Sequence, residues 1–191
     1  MDNIIKTRLI NELNANNEEL KSLENLLKIQ KEKSNKQMIN NFEPSIIIED
    51  FLYHGDLAHA IDINLLVDLN IKNIINLCDC QLDEQIEAIF NLLWIQNLED
   101  DFHGNINKYF DQTNQFLFEC KEKNEKVLVH CQAGISRSSS IVLAYLIRYN
   151  NLSLEKAYEY LLEKRPIAAP NCGFLIQLIR YEKEIKKSKS P

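Results

Sequence analysis

Hydrophobic and polar positions follow two different patterns along the chain. In residues 1–43 leucines recur at Leu13, Leu20, Leu23 and Leu27, with spacings of seven, three and four that place them on one face of an amphipathic helix. The pattern covers only about two heptads and puts Asn16 on its seam, which predicts a helical, partly disordered extension that docks on the body or pairs weakly with a second copy, leaving a monomer or weak dimer. Pro44 ends the segment.

From Ser45 onward short apolar runs alternate with helical patterns. Strands are predicted at 46–48, 51–53, 74–77, 93–95 and 127–129; these runs are apolar on both faces, as in a sheet covered by helices. Helices are predicted at 63–69, from 106 to about 123, at 138–149 and 154–164, and from 173 to about 185, several opening on Asn, Ser or Pro. Together they predict an α/β (or α+β) domain over 44–187, with about five short strands in a mixed, mainly parallel sheet flanked by helices. Residues 188–191 are left as a tail.

Composition adds limits. The chain has 191 residues, 45% hydrophobic and 26% charged, which suits one globular domain with an extension. Twenty-two Lys and Arg against 28 Asp and Glu give a net charge of −6, repulsive to nucleic acid and to anionic membrane, so neither is expected as a partner and any anion site must be built locally. The longest uncharged stretch, between Arg165 and Arg180, is broken by Pro166 and Pro170 and too short to span a bilayer. No apolar leader and no glycine follow Met1, so the cytoplasm is the expected location, with the nucleus as a second compartment. Five cysteines, an odd number, do not make a disulfide framework, and Cys78-Asp79-Cys80 lacks zinc-ligand spacing, so neither metal nor other cofactor is expected.

Chemistry concentrates in the stretch VLVHCQAGISRSSS, residues 127–140. A strand ending near Val129, a loop containing Gly134 and a helix starting near Ser138 form an anion-binding geometry, because the first N–H groups of a helix have no intrahelical partner and its dipole is positive there. N–H groups from Gln132 to Arg137 can curl inward as a nest, with Gly134 allowing the turn. The same field would hold Cys131 as a thiolate, the nucleophilic form. Arg137 supplies a planar fork for two phosphate oxygens, and Ser138 a hydrogen-bond donor for the sulfur when it must leave. A buried structural cysteine would explain the strand but not Gly134, Arg137 and Ser138 at their offsets.

His130-Cys131-Gln132-Ala133-Gly134-Ile135-Ser136-Arg137-Ser138 resembles the signature of cysteine-based protein tyrosine phosphatases, in the form carried by dual-specificity phosphatases. The likeness is nearest to the catalytic domain of mitogen-activated-protein-kinase phosphatases and their atypical relatives. It runs from Phe51-Leu52-Tyr53-His54-Gly55 to Pro170-Asn171-Cys172-Gly173-Phe174, leaving residues 1–43 outside. Glu99-Asp100-Asp101 could be a solvated loop only, but the resemblance implies that Asp100, thirty-one residues before Cys131, is the general acid and base, with Asp101 the runner-up. It also implies a cysteine-phosphatase-like fold, Gln132, Ala133, Gly134, Ile135, Ser136 and Arg137 as the phosphate loop, a loop-bonding, thiol-tuning role for His130, and a bracing role for Asn171, which could be only a helix cap.

The implied reaction is hydrolysis of phosphotyrosine and phosphothreonine or phosphoserine in a protein, a MAP kinase being one candidate, through a phosphocysteine. Gln132, Ala133, Ile135 and Ser136 offer no lysine for the extra phosphates of an inositol lipid, and the acidic balance argues against an RNA phosphatase. A non-catalytic phospho-binding scaffold is the alternative of another class. Arg165 is expected at the surface, His54, His59 and His103 are expected to be ordinary surface or core residues, and Cys120 and Cys172 are the thiols considered for an oxidative pairing with Cys131.

Overall fold

The computed structural model describes residues 1–34 and 42–188. Residues 35–41 and 189–191, which include part of the predicted extension and nearly all of the predicted tail, lie outside the described residues.

Where one continuous helix is expected, the chain forms two, α1 (Asn3–Leu13) and α2 (Asn17–Ser34). The break is made by asparagine chemistry. Asn14 takes the left-handed conformation at the end of α1, with φ 51°. Asn16, expected on a helix seam, instead opens α2: its Oδ1 accepts the N–H groups of Glu18 and Glu19, while Glu19 accepts from the Asn16 N–H. A short side-chain amide competes with the helical ladder, and here it wins.

The body follows as β1 (Ser45–Ile48), β2 (Leu52–Asp56), α3 (Leu57–Ile61), α4 (Ile63–Asp68), β3 (Ile71–Asn76), α5 (Glu84–Ile89) and β4 (Asn91–Trp94). A 3-10 turn at Asn107–Tyr109 leads into α6 (Phe110–Glu122), then β5 (Lys126–Cys131), α7 (Arg137–Tyr149), α8 (Leu154–Lys164) and α9 (Cys172–Ser188). The sheet order is β1-β2-β5-β3-β4, antiparallel only between β1 and β2, so the mixed, mainly parallel sheet predicted from the sequence is present. Successive strand residues face opposite layers. Val127 and Val129 join Leu52 and Ile75 in the larger core under α6 to α9, whereas Leu128 joins Tyr53 and Ile74 in the smaller core under α3 to α5. Burial on both faces is why these strands carry unbroken apolar runs.

With four glycines in the chain, most left-handed positions among the described residues fall to other residues. Asn70, Asn124 and Asn151 join Asn14 at positive φ just beyond the ends of helices α4, α6 and α7. Asparagine tolerates that region better than other residues with a Cβ.

The apolar face of α2 that the sequence offered to a partner copy is used within the chain: Leu20, Leu23 and Leu26 are buried against the body, as is Leu9 of α1. Arg180 of α9 fixes the dock, donating to both carboxylate oxygens of Glu19 at 3.0 and 3.2 Å and to the Leu13 carbonyl at 2.8 Å. Desolvation pushes the Glu19 carboxyl up, but the bonds from Arg180 and the Asn16 amide outweigh it and hold the group below its ordinary value. Among the described residues no helix is long and apolar enough to cross a membrane. Arg180→Ala is expected to cost about 1–3 kcal/mol in urea denaturation because it strands a mostly buried carboxylate. The double variant Glu19→Ala/Arg180→Ala should cost less than the sum of the two single changes.

Candidate active site

β5 is the centre of the sheet, paired in parallel with β2 on one side and β3 on the other, and Cys131 is its last residue. Both flanking ladders therefore hold the thiol's backbone before the chain leaves the sheet. The loop Gln132–Ser136 then turns into α7, whose first residue is Arg137.

What shapes the loop is the fate of its carbonyls. Gln132 O accepts from the Leu57 N–H at 3.3 Å, Gly134 O from Arg165 Nε at 2.8 Å, and Ile135 O from the Ala169 N–H at 2.8 Å. In a trans peptide the C=O and the following N–H point in opposite directions, so drawing these three carbonyls outward turns the N–H groups of Ala133, Ile135 and Ser136 inward. Gly134 sits at φ +61°, and a Cβ there would run into the Arg165 guanidinium and the Gly55 carbonyl.

The expected surface position of Arg165 is therefore wrong. Its side chain is 1% exposed, set between Gly134 O, Ser45 Oγ and Asp56, whose Oδ2 lies 3.9 Å away. It is a strut behind the loop, and its charge is spent on the fold. The sequence held no local sign of this, because the partners lie 31 to 120 residues away.

Around the loop's mouth the charged groups converge. Arg137, with its side chain 8% exposed, donates from Nη1 to Asp79 at 3.2 and 3.3 Å and to the Leu98 carbonyl at 3.4 Å; its Nε lies 3.6 Å from Asp100 Oδ2. Asp100 is held from the other side: its Oδ1 accepts from Ser136 Oγ and from Asn171 Nδ2 at 3.0 Å. Ser136 Oγ in turn accepts the Asn171 N–H at 3.1 Å. Asn171 also caps α9, its Oδ1 taking the Phe174 N–H at 2.9 Å. Asp101 faces elsewhere, its carboxylate closing a turn on the N–H groups of His103 and Gly104. That loop touches the N-terminal extension: His103 Nε2 is 3.1 Å from Glu12 of α1, and the Arg8 guanidinium lies 4.8 Å above the Phe102 ring.

Behind the sulfur the site is buried. Cys131 Sγ is 3.1 Å from Ser138 Oγ, and Ser138 Oγ is 2.8 Å from His54 Nε2 on β2. His54, expected to be an ordinary histidine, is thus one contact removed from the thiol. Desolvation, with the charges of Arg165 and His59, holds its imidazole well below the usual range. His130 is also fully buried, its Nδ1 3.8 Å from Cys78 Sγ. Burial pushes its imidazole down to about 4 against the opposing pull of the Cys131 backbone and Asp56. Burial pushes the Cys78 thiol up to about 12, with the neighbouring Cys80 and Cys131 adding to the rise.

Hydrogen bonds and ion pairs bring Cys131, the loop, Arg137, Ser138, Asp100 and Asn171 together. The arrangement can take a tetrahedral oxyanion in the loop, with a carboxyl at the rim and a sulfur at the base. His54, Arg165 and Asp79 complete it and were not identified from the sequence.

Comparison with known proteins finds likeness over most of the chain. Residues 52–184 match the family described as dual specificity phosphatase, catalytic domain. A probable rhodanese domain-containing dual specificity protein phosphatase of Dictyostelium discoideum is 35% identical over 142 residues, 74% of this chain and 29% of that one. Human dual specificity protein phosphatase 5 is 37% identical over 138 residues, 72% of this chain and 35% of that one. The chain thus spans about a third of the length of these curated relatives. Among solved structures, a human tyrosine phosphatase-like serine/threonine/tyrosine-interacting protein superposes with TM-score 0.70 at 29% identity, over 74% of this chain and 97% of that one. A mouse putative dual specificity phosphatase complexed with zinc tungstate gives 0.71 at 25% identity, over 80% and 96%.

The buried histidines set a pH limit on the fold. His130 refuses, when folded, a proton that the unfolded chain accepts near 6.5, so acid favours unfolding. Its contribution is unchanged above about 6.5, declines as pH falls, and levels off below about 4. His54 acts in the same direction. Urea denaturation at pH 5 is expected to give at least about 2 kcal/mol less stability than at pH 8, with a shallower dependence in His130→Gln.

Proposed function

The chain belongs to the dual specificity phosphatase family, and from that membership we propose that its catalytic domain hydrolyses phosphotyrosine and phosphothreonine or phosphoserine in proteins. The observation that carries the proposal is the loop from Cys131 to Arg137, with its carbonyls bound outward and Asp100 tethered at its rim.

In the first step the Cys131 thiolate attacks phosphorus in line. An S–P bond forms, the P–O bond to the leaving group breaks, and Asp100 gives its proton to that oxygen. The guanidinium of Arg137 and the inward N–H groups hold the equatorial oxygens as charge shifts among them. In the second step water attacks phosphorus, its proton passes to Asp100, and the S–P electron pair returns to sulfur, which accepts a hydrogen bond from the Ser138 hydroxyl. The distance of 3.6 Å between Arg137 and Asp100 supports this division of labour, since a phosphate in the loop would draw the guanidinium inward and leave the carboxyl facing the leaving group. The turn made by Asp101 supports Asp100 over its neighbour.

The uncharged side chains of Gln132, Ala133, Ile135 and Ser136 and the net charge of −6 favour a phosphoprotein over an inositol lipid or RNA. MAP kinases are one substrate class to test. The leucine face of α2 is covered by the chain itself, which favours a monomer. The five free thiols suit a reducing compartment, the cytoplasm or nucleus. One solved relative is named phosphatase-like, so a phospho-binding scaffold is the competing reading, and turnover decides between them.

Hydrolysis of para-nitrophenyl phosphate and of a doubly phosphorylated Thr/Tyr peptide is expected from the wild type and lost in Cys131→Ser. Asp100→Asn should lower peptide kcat about a hundredfold or more and abolish the fall of kcat/KM on the basic side of its pH profile. An inactive wild type that still binds the peptide would favour the scaffold.

A further inference from the structure

Three serines in a row follow Arg137 in the first turn of α7, and two of them return their hydroxyls to backbone carbonyls one turn back. Ser139 Oγ donates to the Ile135 carbonyl and Ser140 Oγ to the Ser136 carbonyl, each four residues back. Ser138 does not. Its Oγ lies 3.1 Å from the Cys131 sulfur and 2.8 Å from His54 Nε2, and it is fully buried.

A hydroxyl has one proton, so Ser138 can donate to the sulfur or to the imidazole, not to both. Which it does depends on the tautomer of His54. Among the described residues His54 Nδ1 has no hydrogen-bond partner, and it is buried. A proton on Nδ1 would leave a buried N–H donor unmatched and turn Nε2 into an acceptor that captures the Ser138 proton. A proton on Nε2 leaves only a lone pair unmatched, the smaller penalty of the two. The second arrangement makes a directed chain in which His54 Nε2–H donates to Ser138 Oγ and Ser138 O–H donates to sulfur.

We infer that His54 is a positioning residue that locks the Ser138 hydroxyl as a donor toward Cys131, both while the sulfur is a thiolate and when it leaves phosphorus. Desolvation, together with Arg165 and His59, keeps the imidazole neutral, so it carries a single ring proton for this purpose. The register of the sheet supplies the placement: His54 on β2 lies opposite Val129 on β5, two residues before the nucleophile, and packs beneath the start of α7. The step it assists is phosphocysteine hydrolysis. Water oxygen bonds to phosphorus, the S–P bond breaks, the electron pair stays on sulfur under the Ser138 hydrogen bond, and the water proton goes to Asp100. The inference rests on Cys131 being the nucleophile proposed above.

The test compares His54→Leu, His54→Gln and His54→Asn with the wild type, alone and in a Ser138→Ala background. Two measurements are made: iodoacetamide alkylation of Cys131 at fixed pH, and the pre-steady-state burst with para-nitrophenyl phosphate. In His54→Leu both alkylation and breakdown of the phosphocysteine are expected to slow about tenfold, the worth of one hydrogen bond to a charged group, with a burst appearing as breakdown limits turnover. His54→Gln, whose amide nitrogen falls where Nε2 lies, should recover most of the loss. His54→Asn, which can mimic only Nδ1, should not. In Ser138→Ala none of the three changes should matter further. The inference is overturned if Gln and Asn behave alike, a comparison that holds even if His54→Leu does not fold, or if the His54 effects persist undiminished in Ser138→Ala. Because alkylation needs no phosphate chemistry, it tests His54 even should the wild type prove inactive.

Discussion

A peptide N–H can face an anion only if the carbonyl joined to it is satisfied somewhere else. Three carbonyls of the loop after Cys131 find partners in three separate elements: the start of α3, the Arg165 side chain and the segment before α9. Most of the molecule's architecture can be read as the means of delivering those partners. β2 brings Leu57 alongside β5, α8 ends where Arg165 can reach back, and the proline-flanked stretch after it lays Ala169 against Ile135. Gly134 is required because both Arg165 and the Gly55 backbone approach closer there than a side chain permits.

Charge is arranged on the same plan. The chain as a whole is acidic, yet two arginines are nearly inaccessible within one small region, and they do opposite things. Arg165 spends its fork on a carbonyl, a hydroxyl and the distant carboxylate of Asp56, behind the loop. Arg137 lies at the front, beside Asp79, which is largely exposed, and Asp100, which is tethered. One guanidinium is thus committed behind the loop, and the other stands at its mouth beside two carboxylates.

Local pattern sufficed for much of this. The five strands declare themselves as apolar runs because both faces of the sheet are covered, and the Cys131 to Ser138 signature is a contiguous motif whose chemistry can be argued residue by residue. Helices α3 and α5 were not foreseen; at five and six residues they are too short for a period to emerge, although Asp56 and Asp83 cap them. The break at Asn14 was missed because leucine spacing continues across it while the asparagines take over the backbone. His54 and Arg165 were undervalued for a different reason. Each acts through a partner brought near only by strand pairing or by helix packing, 84 and 31 residues away, and no window along the sequence contains both members.

The central place of β5 has a consequence for how the protein comes into being. Its two neighbours in the sheet come earlier in the chain, both pairings are parallel, and the loop's last supports, Ala169 and Asn171, come some forty residues later. Contacts of such long sequence separation form late, after their loop-closure entropy has been met. A growing or half-folded chain therefore holds Cys131 before the loop amides have converged around it.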